Sequence, residues 1–190
     1  MLGTRQSGYI ASVGFHLYTR MLTQAVQQLR KVKGETDESV IEGTKSTGYL
    51  GVSVDLPLSV GIPTTYIPDQ SLRLQLYRRM ANILDLSELD QLEEEFKDRF
   101  GPLVEQVKDL FYQLRVKLLG GKAGLVSVSV EADQIVLRFP PLPNGVPSRE
   151  LAPIGMQTRA GRNAYWMKFN MEEPNWRDNL MEVLNVIISL

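Results

Sequence analysis

Cysteine is absent from the 190 residues, and histidine occurs once, at His16. No disulfide, thiolate zinc site or cysteine nucleophile can be built, which suits a reducing compartment. His16 lies between Phe15 and Leu17 with no neighbouring ligand set, so it fits neither a metal centre nor a catalytic triad. Surplus charge is missing too. The 21 Lys and Arg against 22 Asp and Glu leave a net charge of -1, which predicts no general attraction to nucleic acid. No apolar run approaches the roughly 20 residues that span a bilayer. The N-terminus lacks the basic-then-apolar layout of a secretion signal, so the expected location is cytoplasmic and no membrane partner is expected.

A phosphate loop is excluded by spacing. Gly120-Gly121-Lys122 with Gly124 lacks the five-residue glycine separation, and Ala123 stands where a hydroxyl should meet the metal ion. These glycines also follow a helical pattern instead of joining a strand to a helix, so they read as a helix-to-strand turn. Carboxylates abound, but helical spacing alone does not gather a pair in a cleft, so no general acid or base is assigned. The chain is expected not to be an enzyme and to need no cofactor and no metal.

What is present is a clear succession of periods. Ile10, Val13, Leu17, Met21, Ala25 and Leu29 fall at steps of three and four, predicting a long amphipathic helix that Gly34 ends. Residues 35–48 have no period and read as a linker. Leu50, Val52, Val54 and Leu56 alternate, predicting a half-buried strand closed by Pro57. A helix is expected from about Gln70 to Leu84, with Leu72, Leu76, Met80, Ile83 and Leu84 inward and Arg78 and Arg79 outward.

The next helix is expected to start at Ser87 as N-cap, with Asp90 in a weak capping box, and to end at Gly101. Leu89, Leu92 and Phe96 form its buried stripe. Pro102 is expected to open a third helix carrying Val107, Leu110, Phe111, Leu114 and Leu118. Val126, Val128 and Val130 then alternate, and Gln134 to Phe139 follows an Ala-Asp turn, so a hairpin is predicted. Pro140, Pro141, Pro143 and Asn144-Gly145 predict a rigid loop, Tyr165 to Phe169 a strand, and Pro174 the start of a last helix. In that helix Trp176, Leu180, Val183, Leu184, Ile187 and Ile188 are expected inward. The fold class is α+β: a long N-terminal helix, then several helices packed on a small, mainly antiparallel sheet. The expected divisions are residues 1–34, a linker at 35–48, and a domain over 49–190.

One surface stands out. Gln91, Glu94, Glu95 and Asp98 recur at three and four on the side away from Leu89, Leu92 and Phe96, with Arg99 at the same helix end. Two readings fit this stripe: a solvated helix face, or a contact for a partner whose arginines offset the repulsion. Arg78 and Arg79 beside Tyr77 are too few to define a phosphate site. Arg149, Arg159 and Arg162 leave a small basic patch open.

Tyr66-Ile67-Pro68-Asp69, then Arg73, Leu74 and Leu76-Tyr77-Arg78-Arg79, ending at Asp98-Arg99-Phe100-Gly101-Pro102, resemble the C-terminal domain of the bacterial transcription-repair coupling factors. Leu2-Gly3-Thr4-Arg5-Gln6-Ser7-Gly8 with Val13-Gly14-Phe15 and Leu17-Tyr18 is similar to the preceding end of the RecG-like translocation motif. The resemblance is strong over residues 48–119, good over 2–30 and weak from Pro140 onward. It implies a non-catalytic regulatory domain of an ATP-driven DNA translocase, folded back on the N-terminal module of the same polypeptide that recruits the repair protein UvrA. It further implies that Glu95, Asp98 and Arg99 contribute to that contact, with Gln91 and Glu94 as possible neighbours. Gln6 would belong to the translocation motif, stranded without its upstream arginines. The parent protein would engage RNA polymerase, UvrA and double-stranded DNA. The alternative is an accessory domain that grips DNA itself.

Overall fold

The computed structural model describes residues 52–142, 149, 151–155 and 157–190. The expected N-terminal helix, the linker, Gln6, His16, Pro143 and Asn144-Gly145 lie outside the described residues. Among those described, four helices and five strands follow the order β1, α1, α2, α3, β2, β3, β4, β5, α4, which is the α+β class. They fall into two compact units. Leu58–Leu114 form one; residues 52–57 together with Arg115–Leu190 form the other.

The first unit begins with an extended segment. Leu58, Val60 and Ile62 are buried and continue the alternation of Val52, Val54 and Leu56 well past Pro57. The segment is tied to the helices singly: the Ser59 N–H donates to Asp109 Oδ2 at 3.1 Å, the Ile62 N–H to the Tyr77 hydroxyl at 2.7 Å, and the Gly61 N–H to the Gln106 carbonyl at 3.2 Å. Such scattered partners satisfy backbone groups that a neighbouring strand would otherwise take.

α1 is Gln70–Ala81, capped by Asp69, whose Oδ1 accepts from the Leu72 N–H at 2.8 Å. It stops three residues earlier than expected. Asn82 caps its end by donating to the Arg78 carbonyl at 2.9 Å, and Leu84, expected inward, is 53% exposed. α2 is Leu86–Phe100 and starts earlier than expected, because Asp85 and not Ser87 is its N-cap. Asp85 Oδ1 accepts from the Glu88 N–H at 2.9 Å, and Glu88 reaches back to the Leu84 N–H at 3.1 Å. A carboxylate at the positive helix end adds a charge term that a serine lacks.

α3 is Glu105–Lys122. Pro102 does not open it. The Val104 carbonyl accepts the first turn's N–H groups, from Val107 and Lys108, each at 3.0 Å, and Pro102 lies in a bend before it. All five expected core positions of α3 are buried, from Val107 to Leu118. Its end explains the glycine cluster. Gly124 has φ +72°, its N–H meets the Gly121 carbonyl, and the Leu125 N–H meets the Gly120 carbonyl at 2.9 Å. That pair of bonds is a helix C-terminal cap. A Cβ at Gly120 would come within 3.2 Å of Val52 Cγ1, so smallness there serves the close approach of helix and strand.

The second unit is built on one sheet. β1 (Ser53–Asp55) pairs parallel with β2 (Ser127–Glu131). β2 forms the expected hairpin with β3 (Gln134–Arg138), turning at Ala132 and Asp133. β4 (Thr158–Ala160) and β5 (Ala164–Lys168) complete the order β1-β2-β3-β5-β4, with β5 antiparallel to both neighbours. Three antiparallel pairings against one parallel make it mainly antiparallel. The register lines up Val54, Val128, Leu137, Tyr165 and Ala160 in one row across all five strands.

α4 is Trp176–Ser189, so Pro174 precedes the helix and Asn175 is its N-cap. Trp176, Leu180, Val183, Leu184 and Ile187 are buried as expected, and Trp176 meets Phe169 edge-on with centroids 5.3 Å apart. Ile188 is 38% exposed instead, because one residue past Ile187 turns about 100° off the buried stripe. Burial also pushes the Lys117 ammonium on α3 below its usual pKa.

Candidate interaction surface

The motif residues in the first unit are mostly spent on holding that unit together. Phe96 is fully buried on α2, 5.2 Å centroid to centroid from Phe111 and 5.4 Å from Phe100, in edge-on pairs. Phe100 in turn meets Tyr66 at 6.2 Å, and the Tyr66 hydroxyl donates to the Gly101 carbonyl at 3.1 Å. Burial raises the Tyr66 phenol above its usual pKa. Arg73 Nη1 donates to the Ile67 and Pro68 carbonyls at 2.7 and 2.8 Å. Tyr66-Ile67-Pro68-Asp69 and Phe100-Gly101, far apart in sequence, are thus two halves of one fastening.

α2 presents its other side to solvent. Leu89, Leu92 and Phe96 are fully buried, each contributing about 1.5–3 kcal/mol by leaving water. With that stripe fixed inward, the expected surface residues fall outward. Gln91 is exposed, its amide 3.4 Å from Ser87 Oγ. Glu94 is exposed and accepts from Lys97 at 2.7 Å, while Lys97 also pairs with Glu93 at 3.2 Å. Those two carboxylates raise the Lys97 pKa, Glu94 foremost. Asp98 is exposed and makes no ion pair with another described residue.

Glu95 and Arg99 come together, and the structure adds a third member. Arg99 Nη1 donates to Glu95 Oε1 at 2.6 Å, and Arg79 Nη1 on α1 donates to Glu95 Oε2. Arg99 also lies over the Phe100 ring, 5.1 Å from its centroid. Hydrogen bonds from Arg99 and then Arg79 hold the Glu95 carboxyl below the usual range, because both favour its charged form. The sequence carries no signal for the Arg79 pair, because sixteen residues and a turn separate the partners. Arg78 is exposed.

Two of the arginines expected to leave a basic patch are engaged within the second unit, while Arg162 is exposed. Arg149 donates to the Pro140 carbonyl and to Asn163 Oδ1, each at 2.9 Å, and Arg159 stacks on Trp166 at 4.4 Å. Among the described residues no group of three His, Cys, Asp or Glu could hold a metal ion, and no helix is long and apolar enough to cross a membrane.

The described residues define an α+β architecture with a charged, solvent-facing side on α2. Comparison with known proteins makes this specific. Residues 56–149 match the family model described as TRCF domain, and the chain belongs to that family. It is 33% identical over 139 residues to a transcription-repair-coupling factor of Rickettsia typhi, covering 73% of this chain and 12% of that protein. It is 30% identical over 137 residues to that of Bacillus subtilis, covering 72% and 11%, and 32% identical over 143 residues to that of Mycobacterium tuberculosis, covering 75% and 11%. The chain therefore spans 11–12% of the length of these relatives. A crystal structure of the C-terminal domain of transcription-repair coupling factor shares the fold, with TM-score 0.59 and 16% identity over 73% of this chain and 92% of that one.

Proposed function

We propose that this chain acts as the non-catalytic C-terminal regulatory domain of a transcription-repair coupling factor. It docks through the outer face of α2 on the N-terminal UvrA-binding module of the same polypeptide. Docked, it masks the recruiting surface and restrains the ATP-driven DNA translocase; engagement of RNA polymerase releases both. The observation that carries this reading is the division of labour in α2. Phe96, Phe100 and Gly101 are consumed by the fold, which leaves Gln91, Glu94, Asp98 and Arg99 as exposed polar groups with Glu95 at their edge. The contact is a two-state clamp, in which tethering supplies about millimolar effective concentration and modest contact energy suffices.

Calorimetric titration of this chain against the separately prepared N-terminal module tests it. The expected result is saturable heat that vanishes when Glu95, Asp98 and Arg99 are charge-reversed together. No heat at millimolar concentration would sink the clamp and move DNA gripping to first place. That alternative predicts steeply salt-dependent binding to duplex DNA.

A further inference from the structure

Arg79, Glu95 and Arg99 form a triad built from two helices, with two cations against one carboxylate, so it carries one surplus positive charge. Exposure is divided in the same sense. The side chains of Arg79 and Arg99 are 52% and 47% exposed, and that of Glu95 is 27%. An approaching molecule meets the guanidiniums first. Each guanidinium has five N–H donors in a flat fork, and only Nη1 of each is engaged with Glu95. Arg99 is held further by its position over Phe100.

We propose that Arg79 and Arg99 form a paired guanidinium site for a carboxylate on a docked protein. Arg79 is then a further residue of the interface, and Glu95 is a positioning residue that holds the two forks side by side. Planar forks match a carboxylate through two parallel hydrogen bonds, which a lysine cannot do. The surroundings select a protein carboxylate over a nucleic acid backbone. Asp98, next to Arg99 on α2, is exposed and has no ion pair among the described residues, whereas Glu94 is already paired with Lys97. The Asp98 carboxylate repels a polyanion while tolerating a single carboxylate set beside a cation of its own. This inference rests on the docking reading for the identity of the partner, but not for the chemistry of the site.

The test follows the Arg79 and Arg99 side-chain Nε–Hε resonances of this chain by NMR. Three titrants are used: the N-terminal module, a short poly-glutamate peptide and a short DNA duplex. The expected result is that the module and the peptide move both resonances and the duplex does not. Arg79→Gln should weaken binding of the module about two- to fivefold, as Arg99→Gln does, the range for exposed charge pairs. Arg79→Lys should recover only part of that loss. Circular dichroism of each variant separates lost contact from lost fold. Binding unchanged or tightened by Arg79→Gln overturns the proposal, since Arg79 would then merely compete for Glu95. So does a millimolar titration in which neither carboxylate titrant moves the two resonances, or in which only the duplex does. If the peptide moves both and the module neither, the carboxylate site stands and the docking reading falls.

Discussion

Replacing Gly101 by alanine tests whether the junction after α2 depends on backbone conformation alone. Gly101 has φ +82° and ψ −165°, a region that residues with a Cβ essentially do not enter. A Cβ built there meets nothing within 4 Å, so no steric clash adds to the effect. The expected cost is about 1–3 kcal/mol, the usual range for a residue held in such a region. Gly101→Asn should cost as much, because asparagine tolerates the left-handed helical region and not this one.

The same peptide carries the carbonyl that Tyr66 binds, so Tyr66→Phe should cost about 0.5–1.5 kcal/mol alone. Together the two changes should cost less than their sum, because alanine displaces the acceptor that phenylalanine leaves unused. Urea denaturation followed by far-UV circular dichroism gives the energies. Hydrogen exchange of α1 and α2 amides shows whether the loss lies in the first unit. Recovery of most of the stability by asparagine would refute the reasoning, and so would an alanine effect of only a few tenths of a kcal/mol.

Three further outcomes are expected. Phe96→Ala removes a fully buried ring with two aromatic partners and should cost about 3–5 kcal/mol in denaturant unfolding. Glu95 has a folded pKa below its unfolded value, so its contribution is present above the unfolded pKa and lost as pH falls through the folded one. The stability difference between wild type and Glu95→Gln should therefore shrink on acidification below about pH 4.3, from no more than about 1 kcal/mol for so exposed a network. Lys117 has a folded pKa lowered by burial, so its protonated form opposes folding at neutral pH. Lys117→Met should therefore be stabilising near pH 7. Melts taken at rising pH should show the gain disappear as pH passes the depressed pKa towards about 10.4.

Much of the fold was legible because it follows from period. The stripes of α2, α3 and α4 were readable at steps of three and four, and the β2–β3 hairpin at steps of two, because burial on one side imposes that spacing. The boundaries were less legible. Asp85 and Ser87 are both good caps by residue type, and only the position at which the stripe meets the core chooses between them. β4 has no apolar alternation, since Thr158-Arg159-Ala160 is an edge strand held by its pairing with β5. The extended run to Ile62 looked interrupted at Pro57, but side-chain and helix-end partners carry its backbone bonds.

The surface divides in the same way. Sequence alone determined that Gln91, Glu94 and Asp98 share the side of α2 away from its apolar stripe, with Glu95 at the edge of that side, because helical geometry fixes their angular positions. It also carried the family, through motifs whose aromatic and glycine members prove to be internal fastenings. Only the tertiary structure decided how the charges are spent. It brings Arg79 from α1 to the carboxylate that Arg99 already holds, so Glu95 is shared between two guanidiniums while Asp98 is left without an ion pair among the described residues. Period fixes which side of a helix a residue occupies, but the neighbour across the gap depends on how helices pack, and no local spacing encodes that.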